Sequence, residues 1–314
     1  MTTAVSRAAG SRLPYDELPA EIRRHVERTL GSTVVEARTQ LGGFSPGAAA
    51  RLVGANGRRA FVKAVGAPLN PDTPGMFRNE VASMRAIPHL PWVPRLLDTY
   101  DDGTWIALVF EDIEGRQPAH PWTADDVDLV FGAIADLLDA LTPSPWADAP
   151  SVEDRRLFDR WHDLVEAPEP LHPSLSAHLD ELAAMSARAR RFVPGETLVH
   201  YDVRADNVLI TPDRRVVFVD WAWPCRANPA VDVLLASMDI PVSGSAVDPD
   251  ALLARHPTTR EVDPDDLTAL LATFVGTFVS AARRPAPPGL PTIRAFQQHV
   301  ADSLTRWLCR RLSW

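Results

Sequence analysis

Between residues 19 and 110 the apolar positions switch repeatedly between helical and strand periods. PAEIRRHVERTL (19–30) carries them at helical spacing, with Pro19 in the first turn and Gly31 just past the end. STVVEARTQL and AARLVG read as strands flanking the loop GGFSPG at 42–47. Asn56-Gly57 is a hairpin signal leading into RRAFVKAV, and a turn centred between them pairs Val53 with Ala60 and Ala50 with Lys63. After the proline-rich GAPLNPDTPG, a helix is expected over 76–87 with Phe77, Val81 and Met84 as its apolar stripe. Glu80 falls inside that stripe, where a carboxylate is costly unless a cation meets it, and Lys63 is the candidate partner. Asp101-Asp102-Gly103 marks another hairpin turn before the strand TWIALVF, and the strand-rich region ends at EDIEG (111–115).

The remainder reads mainly as helix, over 123–141, 151–165, 174–192 and again from about 250. Its most apolar segment, TALLATFVGTFVSAA at 268–282, is short for a membrane span and is expected to be a buried helix. Two short strands, NVLI and VVFVD, flank the turn TPDRR. A hairpin centred between Asp213 and Arg214 sets Asn207 opposite Asp220, two oxygen donors suited to one hard cation. Asp202, five residues before Asn207 in a tight polar loop, is placed to accept a proton. The expected organisation is a flexible tail (1–15), a β-rich lobe (16–113) and a larger helical lobe (114–314), an α+β fold.

Charge narrows the functional classes. A formal net charge of −9 and a pI near 5.5 argue against nonspecific binding to nucleic acid or an anionic membrane. Cys225 and Cys309 form neither a metal-ligand spacing nor a disulfide framework, which fits a reducing cytoplasm. The first dozen residues lack the apolar run of a signal peptide. Of the 32 lysines and arginines only Lys63 is a lysine, which points to a site requiring a compact point charge.

GFSPG at 43–47 also matches the G-x-S-x-G of serine hydrolases, with Ser45 as nucleophile. Pro46 argues against that reading, because the residue after the serine must donate its N–H to the oxyanion hole and proline has none. The segment fails as a P-loop too, since Gly47 is followed by Ala48-Ala49 rather than Lys-Ser/Thr. A loop whose backbone N–H groups can cover phosphates remains.

His200-x-Asp202-x-x-x-x-Asn207 with Asp220 downstream, and the Lys63/Glu80 pair upstream, resembles the aminoglycoside phosphotransferase family. The likeness runs over roughly residues 30–240 and implies the protein-kinase-like two-lobed fold shared with choline kinases. It implies an ATP- or GTP-dependent phosphotransferase acting on a small-molecule hydroxyl, with Mg2+ as cofactor, present as monomer or homodimer. It also implies roles: Asp202 as catalytic base, Asn207 and Asp220 as magnesium ligands, and Lys63, paired with Glu80, on the α and β phosphates. Gly42, Gly43, Phe44, Ser45 and Gly47 would cover the nucleotide, and the backbone at Glu111 and Ile113 would bind adenine. His200 and Asp232 would support the catalytic loop. Tyr201 stands where the family commonly has glycine, and Trp221-Ala222 replaces a DFG-type triplet after Asp220. A noncatalytic pseudokinase would lack one of Lys63, Asp202, Asn207 or Asp220, and all four are present. No APE-type segment follows Asp220, which favours a small-molecule acceptor over a protein. An antibiotic, an amino alcohol or a sugar is the expected acceptor. The acidic groups Asp159/Asp163/Glu166 and Asp263/Asp265/Asp266 are expected to be solvated helix faces or helix starts.

Overall fold

A computed structural model describes residues 12–40, 42, 46–155, 157–158, 160–165, 171–287 and 290–314. Along the chain run α1 (Ala20–Leu30), β1 (Val34–Thr39), β2 (Ala48–Gly54), β3 (Arg59–Gly66), α2 (Thr73–Ala86), β4 (Leu96–Asp101) and β5 (Trp105–Glu111). Then come α3 (Ala124–Ala140), α4 (Arg160–Val165), α5 (Pro173–Ser176), α6 (Leu179–Phe192), β6 (Thr197–Val199), β7 (Val208–Ile210) and β8 (Val216–Phe218). The last elements are β9 (Cys225–Ala227), α7 (Ala230–Val242), α8 (Pro249–Arg255), α9 (Pro264–Ala282) and α10 (Ile293–Leu312). The chain forms two compact units. The first holds the described residues up to Gln117, Asp206–Trp223 and those of 286–293; the second holds Pro118–Ala205, Pro224–Pro285 and Arg294–Trp314.

The first unit is built on a five-stranded antiparallel sheet of order β1-β2-β3-β5-β4. Strand alternation decides which side chains go where. Ala48, Ala50, Leu52, Ala60, Val62, Ala64, Ala107 and Val109 pack on one face with Ile22, Val26 and Leu30 of α1. The intervening positions, among them Ala49, Phe61, Lys63 and Phe110, line a cleft instead.

Both hairpin registers differ by one residue from those expected. Gly57 (φ 80°) takes the left-handed conformation, and Gly54 N–H bonds Arg58 O at 2.8 Å, so the loop has three residues. Val53 therefore pairs with Arg59, and Lys63 with Ala49 rather than Ala50. The β7–β8 turn repeats this with Arg214 (φ 65°): Thr211 N–H bonds Arg215 O at 2.9 Å, and Asn207 lies opposite Val219, not Asp220. The helix expected over 76–87 begins at Thr73, with Pro74 in its first turn and Asn70 Oδ1 accepting from Thr73 N at 3.0 Å.

The second unit is mainly helical. The helix expected over 151–165 is broken: Ser151 and Asp154 cap a single 3₁₀ turn, Arg155 is extended, and regular helix starts only at Arg160. The one expected over 174–192 is split at His178 (φ −128°) into α5 and α6. α9 is long and apolar enough to cross a membrane, but its Leu270, Leu271, Phe274 and Val275 are buried in this unit, where it packs on α4 and α6. Trp161 of α4 is fully buried against it and donates from Nε1 to Ala272 O at 3.1 Å.

Two helical glycines should respond oppositely to alanine. A Cβ at Gly276 would stand 2.8 Å from the Trp161 indole, so Gly276→Ala is expected to cost about 1–3 kcal/mol. Gly132 in α3 is exposed with nothing within 4 Å of its Cβ position, so Gly132→Ala should stabilise by about 0.5–1 kcal/mol. Urea unfolding checks both, and equal shifts would contradict the packing described.

Candidate active site

Lys63 leaves β3 on the cleft face, and its Nζ lies 2.7 Å from Glu80 Oε2 and 2.6 Å from Asp220 Oδ1. The ammonium also sits 5.1 Å from the centre of the Phe77 ring, one turn before Glu80 on α2. The side chains of Glu80, Lys63 and Asp220 are 1%, 12% and 36% exposed, so the triad runs from the interior to the cleft surface. Burial works against the charge on Lys63, but Asp220 and Glu80 outweigh it and hold the ammonium above its ordinary range. Burial pushes the Glu80 carboxyl up against the pull of Lys63, and Asp220 pushes the same way, because one ammonium serves two carboxylates.

The backbone presents Asp220 deliberately. Asp220 has φ 68°, a conformation L residues adopt at some cost. The segment after it is pinned to α2: Ser83 Oγ donates to Trp221 O at 2.9 Å and Asn79 Nδ2 to Ala222 O at 2.7 Å. Trp221 is fully buried and donates from Nε1 to Phe218 O at 2.8 Å.

The cleft, about 250 Å³, lies in the first unit; Gly42, Asn207, Glu111 and Ile113 line it together with the triad. Gly43, Phe44 and Ser45 lie outside the described residues. Gly47 has φ 113°, and a Cβ there would approach Ala64 O to 2.3 Å, so only glycine lets the loop return this close to β3. Glu111 N–H is committed to Arg95 O at 3.0 Å. Asp112, which belongs to no motif in the sequence, fixes the crossover. Its buried carboxylate accepts from Arg51 at 2.6 and 2.9 Å and from Arg59 at 2.8 Å. Burial pushes this carboxyl up, but Arg51 and Arg59 outweigh it and hold it below the usual range.

In the second unit, both oxygens of buried Asp232 receive backbone N–H groups, from His200 at 2.6 Å and Tyr201 at 2.8 Å. Burial pushes Asp232 up to about 7 while these N–H groups oppose it. Tyr201 adopts φ 66°, the left-handed backbone that glycine takes more easily, with its ring beneath the Arg155 guanidinium at 5.6 Å. Asp202 N–H donates to His200 Nδ1 at 3.3 Å, and its partly exposed carboxylate lies 4.0 Å from Arg204 Nε. Asp239 also braces this loop, accepting from Ala205 N–H and Trp122 Nε1, each at 2.9 Å. It stands two helical turns beyond Asp232 on α7, a spacing that could have revealed it.

The other acidic candidates are engaged by arginines. Asp263, Asp265 and Asp266 surround Arg188 at 2.7, 3.5 and 2.6 Å, and Asp163 meets Arg160 at 3.2 Å. Asp159 and Glu166 lie outside the described residues.

Residues 43–264 match the phosphotransferase enzyme family (APH). No curated protein matches the chain. Among solved structures it is similar to a thermostable mutant of aminoglycoside phosphotransferase APH(4)-Ia, with TM-score 0.61 and 14% identity over 91% of this chain and 98% of that one. It is similar also to choline kinase LicA from Streptococcus pneumoniae, with TM-score 0.60 and 14% identity over 91% and 98%. A third is spectinomycin phosphotransferase APH(9)-Ia in complex with ADP and spectinomycin, with TM-score 0.60 and 11% identity over 91% and 97%. At such identities the likeness shows the fold alone: a protein-kinase-like α+β arrangement.

The Asp112 clamp carries a pH signature. Its folded pKa is depressed, so its contribution is present above the unfolded value of about 3.9 and is lost as pH falls through the folded one. Asp112→Asn should cost about 1–3 kcal/mol at pH 7, with the gap to wild type narrowing below about pH 4 in urea unfolding. A pH-independent gap would contradict the ion-pair account.

Proposed function

Because the chain belongs to the phosphotransferase enzyme family, we propose that it moves the γ-phosphoryl of ATP or GTP to a hydroxyl of a small molecule. The observation that carries this is the Lys63 ammonium held between Glu80 and Asp220 on the wall of a cleft that Asn207 also lines. An ammonium held in this way is a positioned point charge for phosphate oxygens.

Asn207 and Asp220 fit a magnesium site. Both offer oxygen, and among the described residues no group of three His, Cys, Asp or Glu side chains could hold a metal. Asn207 and Asp220 would hold the cation through oxygen, and it would supply neutralisation of the phosphate charge. Lys63 orients the α and β phosphates, while Glu80 fixes the direction of its stem. The loop from Gly42 to Gly47 covers the phosphates with backbone N–H groups, and the Glu111 carbonyl and Ile113 N–H receive the base. Asp202, in the loop held by His200, Asp232 and Asp239, orients the acceptor hydroxyl and takes its proton as the oxygen attacks the γ-phosphorus. Catalysis then rests on position and charge rather than on a covalent intermediate.

For the acceptor, fold relatives crystallised with ADP and hygromycin B or with ADP and spectinomycin support an aminoglycoside or similar antibiotic, and resistance or self-protection is the role we assign to such an activity. The choline kinase relative supports an amino alcohol as the second reading. Both cysteines are free, in keeping with a reducing cytoplasm where nucleoside triphosphate is available.

ADP release measured against aminoglycosides, other antibiotics, amino alcohols and sugars tests the reading. Stimulation by one class supports it; nucleotide binding with no stimulation by any class would favour a noncatalytic module. Asp202→Ala should abolish turnover while ATP affinity stays within about twofold, and parallel loss of both would remove Asp202 from the role of base. Lys63→Arg keeps the charge but brings a wider planar head, and kcat/KM should fall by roughly 100-fold or more. Wild-type activity in that variant would contradict the point-charge role.

A further inference from the structure

The segment preceding α1 reaches the same cleft, and neither the motif pattern nor the roles above use it. Leu13 N–H donates to Gly47 O at 3.1 Å, and residues 12 and 47 form a parallel bridge, so the chain runs alongside the glycine loop. This places Arg12 on the cleft wall with Lys63 and Asp220. Its guanidinium donates to the Gly42 carbonyl and is close enough to Asp220 for the two charges to attract. Partial burial pulls the Arg12 pKa down, and the charge of Asp220 opposes it.

The charge balance of the cleft gives this position a use. Lys63 is already shared by two carboxylates, and Arg51 and Arg59 are committed to Asp112. A nucleoside triphosphate brings several negative charges to a wall that also carries Glu80 and Asp220, so a second cation beside Lys63 is favoured electrostatically. Guanidinium is the group whose fork matches phosphate oxygens, and a stem anchored through backbone bonds to the glycine loop loses little freedom when it binds.

We propose that Arg12 is a second phosphate-binding cation of the nucleotide site, delivered by the segment that runs alongside the glycine loop and acting together with Lys63. The proposal rests on the nucleotide-cleft reading given above. On nucleotide binding the Arg12 guanidinium turns from the Gly42 carbonyl and Asp220 to phosphate oxygens. The loop is thereby tied to the ligand through a side chain as well as through backbone N–H groups.

Calorimetric titration of the full chain with MgATP, MgADP and adenosine, for wild type, Arg12→Ala and Arg12→Lys, tests it. The expected result is about tenfold weaker binding of MgATP and MgADP by Arg12→Ala, with adenosine affinity unchanged and partial recovery in Arg12→Lys. Unchanged affinity for MgATP and MgADP overturns the proposal. Equal weakening of adenosine also overturns it, because Arg12 would then act only by packing the loop. Tighter MgATP binding in Arg12→Ala overturns it in favour of a side chain that obstructs the site. If wild type binds none of the three ligands, the nucleotide-cleft reading itself fails, an outcome distinct from a failure of Arg12 alone.

Discussion

One ammonium shared by two carboxylates is the constraint around which the first unit is arranged. Glu80 is 1% exposed between Phe77 and Met84, and a carboxylate at that depth without a cation would be strongly unfavourable. Removing one partner of such a buried pair typically costs about 3–5 kcal/mol. Lys63 therefore ties β3 to α2 and, through Asp220, to the end of β8. The left-handed backbone at Asp220 and the bonds from Asn79 and Ser83 to the residues after it serve that contact. The outermost carboxylate stays partly exposed, so it alone of the pair can exchange its partner for a ligand.

Arginine does different work in the same chain. At Asp112 two guanidinium groups converge on one buried carboxylate and hold the crossover after β5 against β2 and β3. At Arg188 the arrangement is inverted, with three carboxylates at the start of α9 around one partly exposed arginine. These carboxylates sit in the first turn, where they also cap the helix and complement its dipole.

Much of this was legible in the residues. Strand alternation and helix phase carried the β-rich first half, the buried position of Glu80 and the helical second half, since each depends on local spacing alone. Both hairpin registers missed by one residue for a common reason. A left-handed residue at Gly57 or Arg214 lengthens the loop to three, and nothing in the Ala-Asn-Gly or Pro-Asp-Arg triplet distinguishes that from a two-residue turn. The breaks at Arg155 and His178 were hidden because the surrounding residues keep acceptable helix propensity, and tertiary packing decides where the helices begin. Asp112 and Arg12 are not legible locally because their partners are remote in sequence, Arg51 and Gly42, whereas Asp239 is marked by its helical spacing from Asp232.

In the proposed function Lys63 is held by carboxylates until a nucleotide takes it. Because it is the chain's only lysine, labelling with 15N-lysine isolates its ammonium as a single side-chain resonance. In the free protein the signal should be protected from solvent exchange, as burial and two ion pairs require. On addition of MgADP it should shift in step with calorimetric binding. A resonance that stays in place while MgADP binds would show that the nucleotide does not engage Lys63.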